Sequence, residues 1–410
     1  MKVLGLIVEY NPFHNGHKYH LNKAKEMSDA THVVAVMSGN FLQRGEPALL
    51  NKWLRAEMAL CEGVDLIIEL PVVYACNSAE LFAYGAVSLL HQLNVVDVLC
   101  FGSEVGQTDG LIEIAKILAE EPEEYQDLLK KYLSNGVVYP KARQLAIEKI
   151  SDDDLHSLVQ SPNNILGVEY IKALLRLNSK ITPMTLTRMN ASYNSIDMVG
   201  NICSATAIRN YIYRNKESLE YLESFMPPNS FNILTRAFGD GLGPIFYAAF
   251  NDMILYNLRT STTEEIKIIQ DVVEGLENRI KDASMKTADC LELLKKVKTK
   301  RYTMTKLQRV LIHSLLKIKE KDIVRFNQQG GSRYARILGF TDKGAQLIKK
   351  IKTRSSIPVI TNINKEALDC EISKKMMSYD IMATDIYTLG YPEKSRRIGG
   401  WDYYEKPIIV

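Results

Sequence analysis

No run of apolar residues in this chain approaches the roughly 18 to 20 that a membrane-spanning helix needs, which excludes an integral helical membrane protein and points to a cytoplasmic one. The opening MKVLGLIVEY has an apolar stretch that stops at Glu9, without the length or the cleavage site of a secretory signal. Cysteine is sparse. Cys61, Cys76, Cys100, Cys203, Cys290 and Cys370 are widely spaced and form no CxxC, so neither a zinc ribbon nor a disulfide framework is expected. There is no internal repeat and no low-complexity tract. With 46% hydrophobic and 24% charged residues, the 410-residue chain reads as a soluble globular protein of two or three domains.

Net charge is low, at +3, but it is unevenly spread. Residues 295–354 hold 18 Lys and Arg against three acids, an excess of 15, which leaves −12 for the rest of the chain. An acidic body joined to a basic segment favours a polyanionic partner.

Strand-like runs recur about every 30 residues: VLGLIVEY (3–10), THVVAVMSG (31–39), VDLIIELPV (64–72) and VDVLCFGSE (96–104). Their hydrophobicity is continuous rather than alternating, as expected of strands covered on both faces, and the segments between them carry helical spacing. This predicts an α/β fold with a Rossmann-like doubly wound parallel sheet. ITPMTLTRMN (181–190) reads as a further strand and CSATAIRNYIY (203–213) as a loop entering a helix capped by Ser204. After Pro227 and Pro228 the pattern turns almost wholly helical, placing a boundary near 225, with residues 1–225 as one domain and 226–410 as a mainly helical second one.

The segment NPFHNGHKYH contains His14, His17 and His20 around Pro12 and Gly16. A metal site would need converging carboxylate or thiol ligands at matching spacing, and none stands there, so no protein-held metal is expected. A merely polar, capped helix start leaves Pro12 and Gly16 unexplained. Glycine between two histidines, after a strand and at a helix N-terminus, instead suits close approach of an anion such as phosphate, with His14 and His17 as hydrogen-bond donors. No P-loop lysine is needed if imidazoles and helix amides stabilise the charge building on the α-phosphoryl oxygens.

The strand followed by NPFHNGH closely resembles the HxGH signature of the nucleotidylyltransferase superfamily. CSATAIR resembles its second signature, ISSTxxR, with Ala205 in place of the usual second hydroxyl. Together with VMSGNFLQRGEPALLNKWLRAEMAL, GVDLIIELP, FGSE and SPNNILGVEYIKAL, these motifs make essentially the whole chain similar to the bacterial tRNA(Met) cytidine acetate ligase family. That resemblance implies an enzyme that forms acetyl-adenylate from ATP and acetate. It would then acetylate the wobble cytidine of elongator tRNA(Met), giving N4-acetylcytidine. ATP enters as substrate, with Mg²⁺ expected to bridge its phosphates.

The expected ATP contacts are Ile7, Val8, Glu9, Tyr10, Asn11, Pro12, Phe13, His14, Asn15, Gly16, His17, Lys18, Tyr19 and His20, with His14 and His17 catalytic and His20 either functional or structural. Gly102 ends a strand where adenosine can approach closely. The resemblance implicates Asn163 and Arg188, with Asn164 as the alternative to Asn163, and assigns Ser204, Thr206 and Arg209 to the phosphates. Asn40, Gln43, Arg44 and Lys52, polar residues after the second strand, are expected to line the active site; Arg44 suits a phosphate of ATP or of tRNA. Lys295, Lys296, Lys298, Lys300, Arg301, Lys306, Arg309, Arg333 and Arg336, interleaved with aromatics, are the expected tRNA contacts. Two other functions compete: a nucleotidylyltransferase that makes a cofactor from a small phosphate acceptor, and a non-catalytic RNA-binding protein with a degenerate nucleotide fold.

Overall fold

In the computed structural model, which describes residues 1–151, 155, 156, 158, 161–187, 203–215, 218–363, 368 and 370–410, the expected runs form β1 (Val3–Val8), β2 (His32–Ser38), β3 (Leu66–Leu70), β4 (Val98–Ser103) and β5 (Thr182–Thr187). Helices α1 (Asn15–Ser28), α2 (Lys52–Cys61), α3 (Val72–Ala75) and α4 (Ala79–Gln92) connect the first four strands. Four more, α5 (Asp109–Glu120), α6 (Glu123–Ser134), α7 (Tyr139–Ile150) and α8 (Pro162–Arg176), precede β5, and α9 (Ala205–Arg214) follows it. All five strands are parallel, in the order β5-β4-β1-β2-β3.

Every residue of β2 and β3 is buried, because helices cover both faces. Side chains alternate between two apolar clusters: Val34 and Val36 join one, Val33, Ala35 and Met37 the other. Gly167 lets α8 press onto β4, since a Cβ there would lie 2.6 Å from the Phe101 ring. From β1 the chain proceeds to β2 and β3 on one side, then returns to place β4 and β5 on the other. This reversal opens a crevice at the carboxyl ends of β1 and β4.

Beyond residue 226 the chain is mainly helical: α10 (Pro228–Gly239), α11 (Asn251–Thr260), α12 (Thr263–Lys267), α13 (Leu276–Ser284), α14 (Cys290–Val297), α15 (Met304–Leu315), α16 (Glu320–Gln328), α17 (Asp342–Arg354) and α18 (Glu371–Thr388). Three strands nevertheless return to the same sheet. β6 (Ala335–Phe340) pairs antiparallel with β3, and β7 (Val359–Ile360) and β8 (Ile408–Ile409) pair parallel with β6. No described helix is long and apolar enough to cross a membrane.

A buried ionic cluster fastens this late segment to the early one. Lys52 Nζ lies 2.8 Å from Glu69 and 2.7 Å from Asp402, and Arg336 Nη1 lies 3.0 and 2.6 Å from the same two carboxylates. All four side chains are at most 5% exposed, and the Trp53 ring flanks both cations. Asp380 on α18 accepts from the Val72 amide and the Tyr334 hydroxyl nearby, and burial beside Glu69 pushes its carboxyl up to about 7.

Candidate active site

A cleft of about 310 Å³ opens at the crevice between β1 and β4. Its lining includes Ile7, Val8, Glu9, Tyr10, Asn11, His14, Gly16, His17, Tyr19 and His20 from the first strand-to-helix passage, Gly102 from β4 and Asn163 from α8. Gln43 and Arg44 come from the loop after β2, and Ser204, Thr206 and Arg209 from the start of α9. The two motifs, nearly 190 residues apart in sequence, therefore face one cavity.

Local geometry explains how. Tyr10 takes the left-handed backbone region (φ 48°), a conformation that costs a non-glycine residue of order 1 kcal/mol and turns the chain from β1 toward α1. His14 is the N-cap of α1, and its Nδ1 accepts from the Gly16 amide at 3.0 Å. The ring is thus both a helix cap and a cleft wall, and with Nδ1 occupied as an acceptor, Nε2 carries the proton. The His17 ring lies 3.8 Å from that of His14, centroid to centroid, and packs against Tyr10 and Phe13. His20, one turn on, places Nε2 4.0 Å from Cys100 Sγ.

At the other wall Ser204 Oγ caps α9 by accepting from the Ala207 amide. The Arg209 guanidinium donates to the Asn11 carbonyl at 2.9 Å, to Glu46 at 3.0 Å and to Thr206 Oγ1 at 3.4 Å, so it ties α9 to the histidine segment. Burial of Glu9 in the cleft raises its carboxyl above the ordinary range, Glu46 reinforces this, and the Gln43 amide, Arg209 and Arg55 oppose it. Burial also pushes the Cys100 and Cys203 thiols up to about 12, which leaves both unreactive.

Several expected contacts turn away from the cavity. Phe13 lies wholly in the core, Asn15 Nδ2 donates to the Ser224 carbonyl and Lys18 pairs with Glu62 at 2.7 Å; Pro12 is also outside the lining. Lys52 belongs to the buried ionic cluster, and Asn40 is buried beneath it, bonded to the Lys52 amide and to Thr384. Polarity alone did not separate a cavity wall from a neutralised interior charge. The two asparagines divide their work: Asn163 lines the cleft and donates to Glu104 at 2.7 Å. Asn164 is buried; its Oδ1 accepts from the Glu104 amide and its own amide donates to the Glu104 carboxylate. Arg188 lies outside the described residues.

The basic segment is also sorted. Lys295, Lys296, Lys298, Lys300 and Arg301 are exposed at the end of α14 and in the turn after it, although Lys298 donates to the carbonyls of Thr299 and Tyr302. Lys306 is half-buried on α15, and burial lowers its ammonium pKa. Arg309 is buried against Asp271 at 2.8 Å, and Arg333 is half-buried, donating to the Gln329 carbonyl. Arg336 and Tyr334 are interior residues at β6, so Arg336 faces carboxylates rather than an RNA surface. The basic helix still touches the cleft loop. Gly45 (φ 75°) sits so close to α15 that a Cβ would lie 2.3 Å from the Arg309 amide.

Sequence reading missed Glu46, which adjoins the chosen loop residues, and the apolar wall of Phe82, Phe101, Leu166 and Tyr170. That wall comes from α4, β4 and α8 and carries no motif, since its members look like ordinary core positions.

The model of the HIGH Nucleotidyl Transferase family matches residues 1–400. The chain is 46% identical to the tRNA(Met) cytidine acetate ligase of a Thermoanaerobacter species and 45% identical to that of Acetivibrio thermocellus, each match covering 100% of both chains. Among solved structures it is similar to Thermotoga maritima TmcAL bound with alpha-thio ATP, with a TM-score of 0.93 at 36% identity over 100% of this chain and 99% of that one. The apo form of the same protein gives 0.95 at 37%, covering both chains fully.

Proposed function

The chain belongs to the HIGH nucleotidyl transferase family, and from that premise we propose that it is an ATP-dependent ligase that acetylates a cytidine of tRNA(Met), the activity for which its full-length relatives are named. In this reading acetate attacks the α-phosphorus of ATP, pyrophosphate leaves, and acetyl-adenylate passes its acetyl group to the wobble cytidine of elongator tRNA(Met). The observation that carries it is the convergence of His14, His17, Thr206 and Arg209 on one cleft at the sheet's reversal point. In this reading His14 Nε2–H and the α1 amides hold phosphoryl oxygens, while Arg209 and the α9 N-terminus supply a second set of donors. The apolar wall of Phe101, Leu166 and Tyr170 suits the flat face of adenine.

Mg²⁺ fits this cleft as a companion of ATP rather than as a resident ion. The lining carboxylates are Glu9 and Glu46, the latter already paired with Arg209, and no group of three or more His, Cys, Asp or Glu converges among the described residues. Carried by the triphosphate, the ion would neutralise phosphate charge. The setting we propose is the cytoplasm.

Residues 1–225 then hold ATP, and residues 226–410 supply RNA contacts while completing the sheet. The exposed Lys295, Lys296, Lys300 and Arg301 form the RNA face in this reading. Changing Lys296, Lys300 and Arg301 to Ala is expected to weaken tRNA binding roughly tenfold or more and to make log K less steep in log salt by about 2, one fraction for each lost phosphate contact. Adenylation should continue. Filter binding over a salt series measures this, and an unchanged slope would place the RNA face elsewhere.

The direct test supplies the protein with ATP, labelled acetate and bulk bacterial tRNA, then digests the RNA to nucleosides. Label in acetylcytidine alone is expected. Pyrophosphate release without labelled RNA would point to a different acceptor, and the absence of both would refute the ligase.

A further inference from the structure

The acetyl-transfer half of the proposed reaction has a requirement that the phosphate-binding groups do not meet. The N4 amine of cytidine shares its lone pair with the ring and is a poor nucleophile. As it attacks a carbonyl, positive charge builds on nitrogen, and a base within reach lowers the barrier by accepting its proton.

Two carboxylates line the cleft. Glu46 is held by Arg209 at 3.0 Å. Glu9 is differently placed: one oxygen accepts the Gln43 amide at 2.9 Å, and among the described residues the other makes no hydrogen bond and the carboxylate forms no ion pair. An unpaired carboxylate in a cleft built for a triphosphate weakens anion binding unless it serves the chemistry. His14 cannot take this role as it stands, because Nδ1 is already an acceptor for Gly16 and Nε2 bears the proton. Glu9 also follows β1 immediately, directly ahead of the histidine segment and at the sheet's reversal point, and its position is fixed from two sides. Arg55 of α2 donates to its backbone carbonyl, and Gln43, which holds its side chain, is anchored in turn by Nε2 on the Asn77 carbonyl at 3.2 Å.

We infer that Glu9 is the general base of acetyl transfer, receiving a proton from cytidine N4; this rests on the ligase reading above. The N4–C bond forms, the bond between the acetyl carbon and the adenylate oxygen breaks, AMP leaves with that electron pair, and the N4 proton passes to the free Glu9 oxygen and then to water. Burial raises the Glu9 carboxyl, which makes it a stronger base than an exposed glutamate. Glu46 from the loop acts in the same direction, whereas Arg209 from α9 and Arg55 from α2 oppose it. Arg44, His14 and His17 share the cavity.

Glu9→Gln keeps an oxygen for the Gln43 amide and removes the base. In single-turnover experiments, full-length protein carrying acetyl-adenylate made from ATP and labelled acetate is mixed with elongator tRNA(Met), and acetate-dependent ATP–pyrophosphate exchange is followed in parallel. Transfer is expected to fall about 10²-fold further than exchange does. The wild-type transfer rate should rise with pH through an acidic limb that the variant lacks, and Glu9→Asp should recover part of both. Equal losses in exchange and transfer would assign Glu9 to ATP or its cation and overturn the inference, as would a variant with the wild-type transfer rate and pH profile. Wild-type protein that formed no acetyl-adenylate would contradict the ligase reading itself.

Discussion

Replacing His17 by alanine is expected to reduce acetate-dependent ATP–pyrophosphate exchange by about 10² to 10³-fold, the effect of removing one donor that acts on charge developing in a transition state. His17 lies in the first turn of α1, inside the cleft, and its ring rests 3.8 Å from that of His14. Alanine therefore removes one imidazole and leaves the other without its lateral support. The proposed RNA face at the end of α14 is built from other elements, so tRNA affinity should stay within about twofold, since separated sites without shared partners behave additively. His17→Gln, which retains a polar donor, should recover part of the exchange. Equal loss of exchange and of tRNA affinity in His17→Ala would end the proposed division of labour between the two regions.

Lys52→Ala is expected to cost about 3 to 5 kcal/mol of stability, because it leaves a buried carboxylate without its cation. In the intact cluster two cations meet two carboxylates, all of them nearly inaccessible to water. After the substitution Arg336 alone faces both Glu69 and Asp402. The damage falls on the join between α2, β3, β6 and the C-terminal Asp402, so unfolding should begin with release of the last residues from the sheet. Urea denaturation gives the loss as a shift in midpoint, and a change under 1 kcal/mol would show that water or a rearranged partner compensates. Asp402 also predicts a pH dependence. Lys52 and Arg336 hold its carboxyl below the ordinary range, so its contribution is present above the unfolded value near 4 and is lost as pH falls through the lower folded value.

The first four parallel strands were legible because a strand covered on both faces is apolar along nearly its whole length, a pattern that survives in sequence without knowledge of its neighbours. The edge strand β5, by contrast, is largely uncovered and lacks that pattern. β2 and β3 came out within two residues of the expected ends. β6 was not legible. The segment SRYARILGF that contains it carries two arginines and a tyrosine, the composition of an RNA surface, and nothing local announces that Glu69 and Asp402 neutralise one of those charges from more than 60 residues away. The same blindness applied to Lys52 and Asn40, whose partners arrive from α18 and from the chain's last ten residues.

Sequence by itself determined the class of fold and the grouping of His14, Gly16 and His17 at one wall of the cleft, because a dozen residues specify the local strand-to-helix turn that carries them. Only the tertiary structure decided which charged side chains belong to the site and which to the interior. An ammonium or guanidinium is stable in either place provided counter-charges surround it, and the identity of those neighbours is a property of packing across the whole chain, not of the residues beside it.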